Sequence, residues 1–247
     1  MQSGGSFTDA TTYLDGVVDA ALSDGEIGCV FQPIVELASE RVVGFEALAR
    51  FGPDRQGPAP DLVFAVAREL GVADELQALA VDGALSARDG LPSGCFLSVN
   101  VGPECLAGER VQEALARHGR LDRVIVELTE HSPWQWNDLR PAITGLRRLG
   151  AQVAVDDMGT GYHGLRQILD LQPSILRLDP SLVQAVDQDD AKSVLVEMMG
   201  TLADRVGARL LAEGVETAGE AARLTSLGVP LGQGFHLGRP QPTFSER

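Results

Sequence analysis

Short apolar runs alternate with helix-length amphipathic segments along this chain, and that alternation limits its possible folds more than any other feature. Runs at 29–36, 42–46, 95–101, 123–129, 152–156, 174–178, 209–213 and 232–236 read as strands. Segments at 8–24, 62–70 and 72–88 carry apolar residues at helical spacing, and from residue 95 onward a helix separates each strand from the next. Those later helices fall near 103–117, 134–149, 163–170 and 180–206, and a last one opens at Thr217-Ala218-Gly219-Glu220, a capping-box pattern. Ser132-Pro133 marks the start of the helix that Gly150 ends. Strands joined through helices pair in parallel, and eight of them favour a closed α/β barrel over an open sheet. The first two lie too close for a crossover helix, so they are expected to pair antiparallel.

Five short apolar stretches within these segments end in a carboxylate or carboxamide: 42–46 at Glu46, 96–100 at Asn100, 124–127 at Glu127, 153–157 at the pair Asp156-Asp157, and 210–213 at Glu213. A charge at the rim of an apolar core is costly, and one such acid is often only a helix cap. Repeated at successive strand ends, the acids converge on the carboxyl face of the barrel, where the chemistry of such folds resides. Converging carboxylates repel one another unless a cation holds them together, so the pattern predicts a divalent-metal site. The two aspartates cannot both point inward along one regular strand, so the second is expected where the strand breaks. A barrel that abstracts protons with Mg²⁺ would need a Lys or His base at a strand end, and the five acid-ended stretches supply neither.

Twenty basic against 35 acidic residues give a net charge of −15, which argues against DNA or an anionic membrane as partner. An anionic substrate therefore requires bound cations or a local arginine. Cys29, Cys95 and Cys105 lack metal-ligand spacing and read as buried free thiols of a reducing, cytoplasmic compartment. No run reaches the length of a membrane span. Residues 1–7 read as a linker or cloning remnant ahead of a single domain over 8–247.

Six motifs, in order, resemble the EAL-domain family of cyclic di-GMP phosphodiesterases. They are Phe31-Gln32-Pro33-Ile34-Val35 with Glu46-Ala47-Leu48-Ala49-Arg50, Ser98-Val99-Asn100, Glu127-Leu128-Thr129-Glu130, Asp156-Asp157-Met158-Gly159-Thr160-Gly161-Tyr162, Ala212-Glu213-Gly214-Val215-Glu216, and Gln233-Gly234-Phe235 with Pro240. The resemblance spans about residues 10–243. It implies a modified (β/α)8, TIM-like barrel with an antiparallel first strand, and hydrolysis of cyclic di-GMP to linear pGpG with two Mg²⁺ or Mn²⁺ ions. It also implies residue roles. Glu46, Asn100, Glu127 and Asp156 would bind one ion, with Asp156 bridging to a second. Asp157 and Glu213 would serve that second ion and the attacking water, Glu213 as general base. Gln32, Leu48, Arg50 and Gln233 would line the dinucleotide pocket, and Glu216 would anchor the loop after the aspartate pair. A homodimer is implied, and an upstream sensor or GGDEF domain is a further expected partner.

The chain departs from the family pattern at Arg177, in Leu176-Arg177-Leu178-Asp179, where active members carry Lys. A guanidinium is planar, larger and permanently charged, whereas an ammonium is a compact donor. Losing one well-placed electrostatic group costs up to roughly 10³-fold in rate. Arg177 is thus either a catalytic residue or the mark of a degenerate domain that binds cyclic di-GMP as a receptor or acts as a dimerising scaffold. Met158, His163-Gly164 and Pro230 also differ from the usual family residues, while His118, His131 and His236 need no catalytic role.

Overall fold

The computed structural model describes residues 5–52, 56–128, 136–158 and 164–245, with the side chains of 5–11 and 156–167 left out of the description. Its strands are β1 (Gly28–Glu36), β2 (Arg41–Arg50), β3 (Phe96–Val101), β4 (Val124–Leu128), β5 (Gln152–Met158), β6 (Ile175–Leu178), β7 (Arg209–Ala212) and β8 (Leu231–Gly232). They close in sequence order into a barrel. β1 runs antiparallel to both of its neighbours, β2 and β8, and every other pairing is parallel. The α/β barrel and its reversed first strand both match the expectation. A four-residue turn, 37–40, cannot return the chain to the same end of the sheet, so β1 and β2 must be antiparallel.

The barrel interior is layered by the two-residue period of its strands. Its apolar layer holds Ile34, Phe96, Ile125, Ala154, Ile175, Leu211 and Leu231. One inward step along the strands replaces Phe96 by Ser98, Ile125 by Glu127 and Ile175 by Arg177, all buried. The same step leads from Leu211 to Glu213, from Leu231 to Gln233 and, backward along the reversed strand, from Ile34 to Gln32. A polar layer is therefore stacked directly on an apolar one. Gly44 belongs to the lower layer, in register with Phe96, and a Cβ there would meet the Phe96 ring at 2.6 Å. The absent side chain leaves room for the one aromatic ring that fills this layer.

The helices are α1 (Gly5–Asp24), α2 (Pro60–Glu69), α3 (Ala73–Ser86), α4 (Pro103–Leu106), α5 (Glu109–Arg117), α6 (Trp136–Leu149), α7 (Gly164–Leu171), α8 (Pro180–Val183), α9 (Asp190–Val206) and α10 (Ala218–Ser226). The outer core lies between strands and helices, and α1, α2 and α3 share a separate cluster with Val18, Phe51, Val63 and Leu76 at its centre. Expected boundaries fail in four places. Glu46 does not end its strand, because pairing with β1 carries β2 on to Arg50, three residues beyond the end of its pairing with β3 at Ala47. The segment 103–117 divides into α4 and α5 at Gly108, whose extended backbone precedes Glu109. The expected helix 180–206 divides as well. Ala185 takes a left-handed φ of 57°, and the Asp189 carboxylate caps α9 by accepting from the Ala191 and Lys192 N–H groups. The last strand, expected over 232–236, contracts to Leu231–Gly232, where pairing with the reversed β1 stops. The capping box of Thr217 and Glu220 forms as expected, and Ser132-Pro133 lies outside the described residues.

Candidate active site

The polar layer converges on one side chain. Arg177, from the middle of β6, donates through Nε to Glu213 and through Nη1 to Glu127, both in close contact. Its Nη2 lies 3.2 Å from Glu46 Oε2 and 3.4 Å from Gln233 Oε1. Side-chain exposure is 3% for Arg177, 7% for Glu46 and 1% for Glu127, so these charges compensate one another without bulk water. Glu213, just beyond β7, retains 18% exposure and is the carboxylate best placed to meet solvent.

Each buried acid has further donors. Glu46 accepts from Asn100 Nδ2 at 2.6 Å and from Gln233 Nε2 at 2.7 Å. Glu127 accepts from the Ser98 hydroxyl in a close contact. Burial alone would push the Glu46 carboxyl up; the Arg177 charge and the bonds from Asn100, Gln233 and Arg177 outweigh it and hold the carboxyl below its ordinary value. Burial likewise disfavours the charged form of Arg177, and Glu213 and Glu46 reverse that effect, so its guanidinium stays protonated throughout the ordinary pH range.

Two cavities open from this cluster, and Glu46, Arg177 and Glu213 line both. The smaller, about 180 Å³, is completed by Gln32, Gln233, Glu216 and Phe235. The larger, about 870 Å³, runs outward past Leu48, Arg50, Asn100 and Asp179. The structure therefore brings together Gln32, Glu46, Leu48, Arg50, Asn100, Glu127, Arg177, Glu213, Glu216 and Gln233. Gln32 is oriented by donating to the Gly238 carbonyl at 3.1 Å and accepting from Gln233 at 3.3 Å. Arg50 donates to the carbonyl of Ala49 at 2.8 Å.

Asp156 and Asp157 are placed by their backbone only, inside β5, where the pairing with β6 shifts register between Val155 and Met158. That irregularity fits the expected break in strand alternation, and their side chains lie outside the described residues. The loop that Glu216 was expected to anchor, along with His163 and the Thr160 region, also lies outside them.

Two supporting residues were missed. Gln77, buried in α3, donates to the Asn100 carbonyl at 3.0 Å and accepts from the Gly102 N–H at 3.2 Å, fixing the end of β3. A polar residue on the apolar face of a helix, between Leu76 and Ala78, was the available signal. Glu220 exceeds its capping role. It accepts from the N–H groups of Ala185, Glu216 and Thr217 at 2.8, 2.8 and 3.0 Å, and so ties down the segment that follows Glu213. His118 pairs with Asp82 at 3.0 Å, away from the cluster.

Oxygen donors make up the whole candidate ligand set, which suits Mg²⁺ or Mn²⁺. Three buried or half-buried carboxylates share one guanidinium here, an excess of two formal negative charges that one divalent ion would balance. The donor chemistry thus fits a metal, but the geometry does not present it ready-made. Among the described residues, no three acidic, His or Cys side chains are grouped to hold an ion, because the guanidinium stands between them.

Comparison with known proteins gives a consistent result. The family model described as "EAL domain" matches residues 17–240. A probable cyclic di-GMP phosphodiesterase of Escherichia coli, PdeB, is 30% identical over 232 residues, covering 90% of this chain and 44% of its own. Its E. coli counterpart PdeD is 28% identical, over 91% of this chain and 43% of its own. This chain therefore spans less than half the length of these relatives. Among solved structures, the PaMucR phosphodiesterase in complex with c-di-GMP superposes with a TM-score of 0.81 at 28% identity, covering 93% of this chain and 98% of that one.

Proposed function

The chain belongs to the EAL-domain family, and from that premise we propose that it hydrolyses cyclic di-GMP to linear pGpG with Mg²⁺ or Mn²⁺ at the barrel mouth. The observation that carries this reading is the convergence of Glu46, Asn100, Glu127 and Glu213 on one point between two cavities. Relatives named as probable cyclic di-GMP phosphodiesterases support the same chemistry.

Glu46, Asn100 and Glu127, with Asp156, would hold one divalent ion, and Asp157 with Glu213 a second. Bound there, such ions lower the pKa of water and offset charge on the phosphoryl oxygens. The chain's own residues do the rest. Gln32, Gln233, Leu48 and Arg50 bind and orient the dinucleotide along the cavities. Glu213, the more exposed acid, takes the proton of the attacking water. A water–phosphorus bond forms as the bond from phosphorus to one ribose 3′-oxygen breaks. The leaving oxygen gains a proton, and the phosphate stays on the 5′ side.

A second reading has its own observation. Because Arg177 engages Glu46, Glu127 and Glu213 together, a receptor that holds cyclic di-GMP with little turnover is also built by these residues. The assay is incubation with cyclic di-GMP and Mn²⁺ or Mg²⁺, followed by chromatography. Metal-dependent pGpG that disappears in Glu213→Gln supports the enzyme. Binding without pGpG supports the receptor, and loss of both leaves a scaffold.

The exposed apolar side chains Leu169, Val194, Leu195 and Met198 support a homodimer. Three buried free cysteines support a cytoplasmic setting, and no described helix is long and apolar enough to cross a membrane. A sensor or GGDEF domain as partner is in keeping with relatives more than twice as long.

A further inference from the structure

Arg177 is buried among the very oxygens that a metal would need. Its three donor edges point to three carboxylates contributed by β2, β4 and the segment after β7. A planar fork with five N–H donors can engage three acids at once, which a compact ammonium cannot do with the same geometry. Glu46 Oε2 is shared between Arg177 and Gln233, and both oxygens of Glu127 are engaged, one by Ser98 and one by Arg177.

We infer that Arg177 is a built-in cation that holds the carboxylate oxygens of the metal site, so that a divalent ion enters only by displacing its guanidinium. This rests on the proposal that the acids are metal ligands. The exchange is feasible because one cation replaces another, and no carboxylate is left buried without a partner. The larger cavity, lined by Arg177 itself and by Asp179, gives the displaced side chain room and an acidic partner outside the cluster. The consequence is a raised metal requirement: the site responds to the concentration of free divalent ion rather than holding one permanently.

The test is calorimetric titration of Mn²⁺ alone into the wild type, Arg177→Lys and Arg177→Gln. Occupancy by the guanidinium predicts affinity about tenfold higher in Arg177→Lys, the scale of altering a group that touches metal ligands, and higher again in Arg177→Gln. The Lys variant is decisive because it keeps the charge. Equal affinity in wild type and Arg177→Lys, with a gain only in Arg177→Gln, would reduce the effect to charge repulsion and overturn the inference. Absence of Mn²⁺ binding in all three would overturn it too.

Should the variants fail to fold, the wild type decides by itself through the Arg177 Nε–H resonance in a ¹⁵N spectrum. Saturating Mg²⁺ should shift that signal as its pairing with Glu213 breaks, and an unmoved signal sinks the inference. Cyclic di-GMP binding and pGpG formation are measured on the same samples. Their absence would overturn the proposed function, whereas the metal titration continues to report on Arg177.

Discussion

Arg177 Nη2 lies 3.2 Å from Glu46 Oε2, linking β6 to β2 across the barrel mouth between residues 131 positions apart in sequence. Buried pairs of this kind contribute little net stability when intact, but losing one partner leaves an uncompensated charge. Arg177→Met should therefore destabilise the protein by roughly 3–5 kcal/mol in urea denaturation without divalent ions. A loss below about 1 kcal/mol, the scale of an exposed pair, would show that the acids are solvated and that the cluster is not closed.

Glu46 makes stability depend on pH in a definite direction. Its carboxyl is held below its ordinary value in the fold, so it binds protons more readily when unfolded. The stabilisation is fully present above the unfolded value, about 4.5, and is lost as pH falls from there through the depressed folded value. Comparing wild type with Glu46→Gln cancels the acids outside the Arg177 cluster. The stability difference between the two should shrink on acidification below about pH 4.5 and stay flat above it. A difference that grows on acidification contradicts the assignment.

Gln77 supports the site from α3 through its two bonds to the end of β3. Gln77→Leu keeps the volume and strands the Asn100 carbonyl and the Gly102 N–H. The expected cost is about 1–3 kcal/mol in thermal or chemical unfolding. An unchanged midpoint would mean that water replaces both bonds.

Gly44 tests the layered interior. An Ala Cβ would press on the Phe96 ring at 2.6 Å, so Gly44→Ala should cost about 1–3 kcal/mol by overpacking. Adding Phe96→Leu should recover part of that loss, a non-additivity expected only of residues in contact. Strict additivity in a double-mutant cycle would refute the packing account.

Much of this protein was legible in its residues, for reasons of periodicity. The two-residue alternation of strands and the helical spacing between them follow from local geometry. So do the Thr217–Glu220 cap and the reversal forced by the short connection before Arg41. The same period placed Asn100, Glu127 and Glu213 at one end of the barrel. What local pattern does not carry is set by closure of the barrel. β2 continues past Glu46 to Arg50 because the antiparallel β1 pairs with it that far. β8 stops at two residues because the chain after Gly232 turns away from β1 and meets it again at Gln241, opposite Phe31. Gln77 and Glu220 acquire roles through backbone groups 23 and 35 residues distant.

Arg177 shows the division most plainly. Its sequence determined that a permanent, planar cation stands among strand-end acids. Only the tertiary structure decided that Glu46, Glu127 and Glu213 would all reach it. Their charges must be compensated where the barrel buries them, and a three-way ion cluster exists only once β2, β4, β6 and β7 have closed around it.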